Sequence, residues 1–107
     1  MEYLINKGIR ARITVRGGNI EVGKEYMCTL YRGVKDLDGR ATVSATSILL
    51  PNKEGKDVPT CVFIFEPEDT ARLKAGIVIL EVYDKGTLEQ MSFVEKFATV
   101  RANSISA

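Results

Sequence analysis

The residue types that perform most enzyme chemistry are missing from this chain or isolated in it. Histidine, the side chain that titrates nearest to neutral pH, does not occur among the 107 residues. Without histidine, a Ser-His-Asp or Cys-His arrangement is impossible within one chain, and the commonest transition-metal ligand is lost. We therefore expect a protein that is not an enzyme and that needs no cofactor.

Carboxylates are the remaining candidates for acid–base chemistry, and the sequence offers a structural explanation for them. Glu66, Glu68 and Asp69 surround Pro67 in an order typical of a helix start, where acidic side chains complement the helix dipole. Glu81 lies in an apolar strand pattern. We expect it to form an ion pair across a sheet, with an arginine as a candidate partner.

Metal binding has little support in the sequence. Asp36 and Asp38 flank Leu37 in a turn, but the spacing of an EF-hand loop is absent, and turns of this kind are common without calcium. Cys28 and Cys61 are separated along the chain and lie among strand-forming residues. We predict reduced, buried thiols, with a disulfide between two sheets as the alternative. No metal site is expected.

Positive charge is concentrated near the start of the chain, although the net charge is only +1. Acidic residues dominate the second half. A solvated surface with no role explains this asymmetry, and the alternative is contact between copies, or with other proteins, through opposite fields. The residues that we predict to bind a partner lie on the first basic strand and on a polar loop: Arg10, Arg12, Arg16, Asn52, Lys53, Glu54 and Lys56.

Apolar residues recur at every second position along much of the chain, and this period predicts the β-strands that position these residues. Between Ile9 and Arg16, apolar residues alternate with basic or polar ones, which predicts a strand with one buried face. Similar segments recur about seven times, and start and stop signals predict one short helical turn near residues 67–75. The sequence thus predicts a single all-β domain over residues 1–107, an antiparallel β-sandwich, with extended termini at 1–7 and 102–107.

Particular segments carry sharper predictions. Thr60–Phe65 is apolar on both faces, so we expect a central strand that is covered on both sides. Ala41–Leu50 reads as one strand, and Leu73 as the residue that anchors the helical turn. Phe93, Phe97 and Val100 are candidates for burial in the last strand.

The second half of the chain carries a distinctive succession of motifs. The pattern D-T-x-x-L-K-x-G over Asp69–Gly76 leads into a strand that carries Glu81, and the last strand ends near Ser104. In these features the chain resembles small immunoglobulin-like proteins of tailed bacteriophages and prophages, of the kind found in phages of gut Bacteroidetes, including the crAss-like group. The turn D-L-x-G at Asp36–Gly39 is similar to that of upper-baseplate domains. The resemblance implies an immunoglobulin-like fold and a virion component: an auxiliary or decoration protein of the capsid, or a small tail or baseplate adaptor.

Three classes of function follow as hypotheses. The favoured one is a phage structural protein that binds other virion proteins, and copies of itself where symmetry requires; it is made in the host cytoplasm and incorporated into the virion. The alternatives are a carbohydrate- or receptor-binding module and, with less support, a nucleic-acid binder of the oligonucleotide-binding type, in which Tyr26 and Tyr31 would stack on bases. The N-terminus lacks the pattern of a signal peptide, and no apolar run approaches the ~18 residues of a membrane span.

Overall fold

The chain folds into two facing β-sheets, as the alternating pattern predicts. A computed structural model describes residues 3–17, 19–33 and 38–102. The described elements are, in chain order, β1 (Tyr3–Asn6), β2 (Ala11–Arg16), β3 (Glu25–Tyr31), β4 (Ala41–Thr46), β5 (Ile48–Pro51), β6 (Asp57–Phe65), α1 (Pro67–Arg72), β7 (Gly76–Asp84) and β8 (Gln90–Arg101).

The two sheets differ in size. The larger has five strands in the order β1-β8-β7-β3-β4, and the smaller has three in the order β2-β6-β5. Every pair is antiparallel except β1 with β8, which run parallel. The all-β sandwich is confirmed, whereas the expectation of purely antiparallel pairing is wrong at this one pair.

The N-terminal segment is where the sequence prediction missed an element. Residues 1–7 were expected to extend from the domain, but Tyr3–Asn6 form β1 and pair with β8 from Ala98 to Arg101. The pairing joins residues more than ninety positions apart, so no local pattern reveals it. Residues 103–107, most of the other predicted extension, lie outside the described residues, as do Asp36 and Leu37 of the proposed turn.

The predicted strand Ala41–Leu50 is two strands in different sheets. Ser47, 2% exposed, separates them, and its backbone bonds back to the segment before β3: its N–H donates to Lys24 O at 2.9 Å, and its carbonyl accepts from Gly23 N at 2.9 Å. These bonds hold the chain where it passes from the five-stranded to the three-stranded sheet. Alternation continues on both sides of the switch, so no local pattern marks the change of sheet.

The core fills the space between the inner faces of the sheets. Cys61 and Phe63 of β6 meet Cys28 and Leu30 of β3 in one apolar cluster, and each of the four is fully buried. Leu73, just after α1, is also fully buried, which confirms its role as an anchor.

Helix α1 ends earlier than predicted but begins as its acidic residues indicated. It covers Pro67–Arg72, with Pro67 in its first turn and the Asp69 carboxylate accepting the Glu66 N–H at 2.9 Å. The carboxylate thus satisfies a backbone donor that the first turn leaves free.

Burial in β8 follows the prediction only in part. Val100 is buried and Phe97 is half-buried, but Phe93 is 50% exposed. The reason is the alternation of side chains along the strand: Ala98 and Val100 face the core, and Phe93 lies an odd number of residues from both. The pairing with β7 keeps this alternation across an irregularity, and Phe93 lies opposite Glu81, on the face turned away from the core.

Candidate functional site

Strand β2 places two of the predicted arginines on the outer face of the three-stranded sheet. Ile13 points inward and pairs with the buried Phe63 of β6. Paired residues share a face and neighbours along a strand alternate, so Arg12 and Arg16 point outward. Among the residues that the structure describes, neither arginine forms an ion pair.

The outer face beside these arginines is apolar. Arg12 pairs with Ile64 and Arg16 with Thr60, and on the far side Ile48 of β5 pairs with Thr60. Ile48 is 49% exposed, Thr60 is fully buried, and the other apolar members of this face are half-buried. We call the following group the outer stripe: Ile48, Leu50, Val58, Val62 and Ile64.

The outer stripe corrects one sequence prediction. Strand β6 is central in its sheet, as expected, but only its inner face is covered fully; Val62 and Ile64 on the outer face retain solvent contact. Thr60, on the same face, is fully buried, so the face is partly covered there and half-exposed around it. The apolar pattern of β6 thus exceeds what the folded domain uses for its own core.

Arg10 differs from the other two arginines because it already has a partner. It lies just before β2, and its guanidinium donates to both carboxylate oxygens of Glu66, from Nε at 2.9 Å and from Nη2 at 3.1 Å. Hydrogen bonding to Glu66, followed by the attraction of its charge, raises the pKa of Arg10. The pair ties β2 to the start of α1 and leaves less positive charge available to a partner.

The predicted loop is a hydrogen-bonded hairpin turn between β5 and β6. The Asn52 side-chain oxygen accepts the N–H groups of Glu54 and Lys56, at 2.9 and 3.0 Å, and the Asn52 N–H donates to Lys56 O at 2.8 Å. Gly55 has a φ of 80°, which glycine adopts without strain. Lys53, Glu54 and Lys56 are exposed, as predicted for the tip, and Asn52 organises the turn.

The fold brings two predicted regions together at one end of the small sheet. Arg16 and Asn52 both line a cleft of about 380 Å³, whose floor includes Ile20, Val58 and Pro59. Arg10 lines a different groove, at the opposite end of β2. The predicted residues thus fall into an arginine-and-loop region beside the outer stripe and a separate ion pair at Arg10.

The second groove lies between the edge strands β1 and β2, and we call it the seam. It encloses about 240 Å³ and is lined by Arg10 and Arg12 on one side and by Tyr3, Leu4 and Phe97 on the other. The Tyr3 and Phe97 rings stack, with centroids 4.9 Å apart. Sequence reasoning missed this site because it did not assign β1; the apolar run at residues 3–5 was the available signal.

Glu81 is buried and accepts hydrogen bonds from three neutral donors. It lies on the outer face of the five-stranded sheet, 7% exposed, and accepts hydrogen bonds from the hydroxyls of Tyr31 and Tyr83. The Gln90 amide donates to it at 2.8 Å. Arg40 lies in the same cluster, 4.3 Å from the centroid of the Tyr31 ring. The ion pair of Glu81 with an arginine stays a prediction.

Burial of this cluster also affects tyrosine ionisation. Desolvation, followed by the hydrogen bond to Glu81 and its charge, raises the pKa of Tyr83 to about 12. At neutral pH the phenol is therefore a hydrogen-bond donor. The arrangement holds a buried carboxylate in place with three donors, which fixes β7 against β3 and the start of β8.

Both cysteines are reduced and buried in the core. Cys28 and Cys61 are fully buried free thiols on the central parts of opposite sheets. Desolvation, followed by the charge of Cys61, raises the pKa of Cys28 to about 12, and desolvation also raises the pKa of Cys61. These are the properties of inert apolar fillers rather than of reactive thiolates.

In residues 3–17, 19–33 and 38–102, no group of three or more acidic or cysteine side chains is placed to hold a metal ion. Over the same residues, no helix has the length and apolarity to cross a membrane. No known protein family, curated protein or solved structure matches the chain.

Proposed function

We propose that this protein is a non-enzymatic structural component of a bacteriophage particle, where it docks on a larger protein assembly. The observation that carries the proposal is the outer stripe, an apolar sheet face that the domain leaves open beside Arg12 and Arg16. The resemblance to phage immunoglobulin-like proteins supplies the kind of assembly: a capsid that takes an auxiliary protein, or a tail or baseplate that takes an adaptor.

The outer stripe fits a protein partner with an apolar centre and an acidic rim. Removing apolar surface from water contributes about 25 cal/mol per Å², so covering this face stabilises a complex. Arg12 and Arg16 would pair with carboxylates at the border of the interface, which sets orientation and speeds association. Symmetry on a shell or tail then multiplies a modest interface.

The positions of the tyrosines favour a protein partner over a sugar or a nucleic acid. Sugar-binding and base-stacking sites need exposed aromatic rings. Tyr26 is fully buried and Tyr31 is 3% exposed, so neither can stack on a ligand. Tyr3, which is 54% exposed, lies at the seam rather than beside the outer stripe.

The proposal is tested by incorporation into particles. Phage particles made with the doubly substituted Arg12→Glu/Arg16→Glu chain should contain less than a tenth of the normal amount of this protein, measured by quantitative mass spectrometry. A Val62→Asp chain should be depleted similarly, because it places a charge in the outer stripe. The matched control is Lys85→Glu/Lys96→Glu, which reverses two positive charges on the other side of the domain.

Two outcomes would refute the proposal. One is the absence of the unmodified protein from purified particles. The other is equal incorporation of the arginine variant and its control, provided that circular dichroism shows both to be folded. Arg10→Glu is a further comparison: because Arg10 is already paired with Glu66, its reversal should reduce incorporation less than reversal of Arg12.

A further inference from the structure

The seam separates β1, an edge strand of the large sheet, from β2, an edge strand of the small one. Ile5 of β1 faces the core and is 3% exposed, and Tyr3 shares its face because it lies two residues earlier. Tyr3 is nevertheless 54% exposed, so the domain leaves this part of the inner face of β1 open to solvent.

Strand β2 borders this space with a free edge. It pairs with β6 on one side, and among the described strands none pairs with it on the other. In an antiparallel pair, every second residue directs its N–H and C=O away from its neighbour. Three of the six residues of β2 therefore present backbone donors and acceptors at this free edge, and the seam lies along its first half, Ala11–Ile13.

The side chains around the free edge determine which residue types an added strand would need. On its inner face it would lie over the seam, against the aromatic side chains of Tyr3 and Phe97. On its outer face it would lie beside Arg12 and Arg16, which have no carboxylate partner among the described residues. Because successive side chains of a strand point to opposite faces, the added strand needs apolar residues at every second position and acidic residues at the positions between them.

We propose that the seam is a strand-accepting site: an extended segment of a partner virion protein, with acidic and apolar residues in alternation, adds to the free edge of β2 as a fourth strand of the small sheet. The inference rests on the proposed function, since it specifies how part of the partner binds. Backbone hydrogen bonds to β2 supply affinity. The apolar residues fill the seam, and the acidic residues pair with Arg12 and Arg16.

A synthetic peptide tests this inference without the phage. The probe is a fluorescently labelled eight-residue peptide in which glutamate alternates with valine, and its binding to the full chain is measured by fluorescence anisotropy. Two controls have the same length: one has four glutamates followed by four valines, and the other has lysine in place of glutamate. The alternating acidic peptide should bind at least tenfold more tightly than either control.

Amide hydrogen exchange locates the peptide. Binding should slow the exchange of alternate amides of β2, either those of residues 11, 13 and 15 or those of residues 12, 14 and 16, because only one set faces the seam. Arg12→Glu/Arg16→Glu should weaken binding at least tenfold, and so should Tyr3→Glu, which places a charge in the seam. Lys85→Glu, which reverses a charge just after β7 and away from β2, should leave binding unchanged.

The results separate this inference from the proposed function. Equal binding of the alternating and block peptides, or unchanged exchange in β2 at saturating peptide, overturns the strand-accepting site. If the protein is nevertheless found in particles and depends there on Arg12 and Arg16, docking through the outer stripe stands without strand addition. If the peptide adds to β2 but the protein is absent from particles, the site stands and its assignment to a virion does not.

Discussion

Removal of the Tyr31 hydroxyl should destabilise the domain more than removal of the other tyrosine hydroxyl that contacts Glu81. Tyr31→Phe preserves the aromatic face over which Arg40 lies and deletes only the donor to the Glu81 carboxylate. A hydrogen bond to a charged group contributes about 1.5–3 kcal/mol, and both residues here are less than 10% exposed. We expect the free energy of unfolding to fall by that amount. For a domain of this size, at about 4 °C per kcal/mol, Tm should fall by about 6–12 °C.

Urea unfolding followed by circular dichroism and tyrosine fluorescence measures this loss, since the chain has no tryptophan. Tyr83→Phe is the matched control: it removes the second phenol from a half-buried position and should cost less, about 0.5–1.5 kcal/mol. A double-mutant cycle with Glu81→Gln assigns the energy. In that background the cost of Tyr31→Phe should fall by about half, because the hydrogen bond is no longer charge-assisted. An equal cost in both backgrounds, or a loss below about 0.5 kcal/mol in the natural chain, would refute this account of the carboxylate.

Two further predictions concern backbone conformation and pH. Gly76→Ala should lower the free energy of unfolding by about 1–3 kcal/mol, because Gly76 has a φ of 129° and an added Cβ would lie 3.3 Å from Arg32 Nε. Gly17→Ala is the control, because a Cβ added there meets no neighbour within 4 Å. Equal stability of the two variants in urea would contradict the prediction. The stability of the domain should also fall at alkaline pH. Cys28 and Tyr83 have pKa values of about 12 in the folded protein, against ordinary values of 9.0 and 10.0. Their contribution to the free energy of unfolding is therefore complete below pH 9 and is lost as the pH rises towards 12. Urea midpoints at pH 8, 10 and 11.5 measure this loss, Tyr83→Phe should reduce it, and a midpoint that does not change between pH 8 and 11.5 would exclude it.

The alternation of β2 shows how far local sequence determines a surface. Arg12 and Arg16 were assigned to one face from the pattern alone, and the register with β6 places them there. The same reasoning identified the exposed hairpin tip at Lys53–Lys56 and the acidic start of α1. These features depend on neighbouring residues, whose side chains point to opposite sides of a strand by covalent geometry.

The use of those surfaces depends on pairings between distant residues, which alternation does not encode. Phe93 was expected inside and lies outside, because the pairing of β8 with β7 turns Ala98 and Val100 toward the core and Phe93 lies an odd number of residues from both. Glu81 accepts hydrogen bonds from tyrosines of β3 and β7, which its sheet brings together. Each outcome follows from which strands are neighbours.

The sequence by itself determined an all-β chain with a single apolar interior, a basic outward-facing strand and no histidine for catalysis, because each of these depends on residue type and on a period of two. Only the tertiary structure decided that Tyr3 joins the last strand, that the chain changes sheets at Ser47 and that β6 keeps one apolar face open. The physical reason is that the free energy of strand pairing is gained between residues far apart in the chain, where many registers satisfy the same alternation and packing selects one.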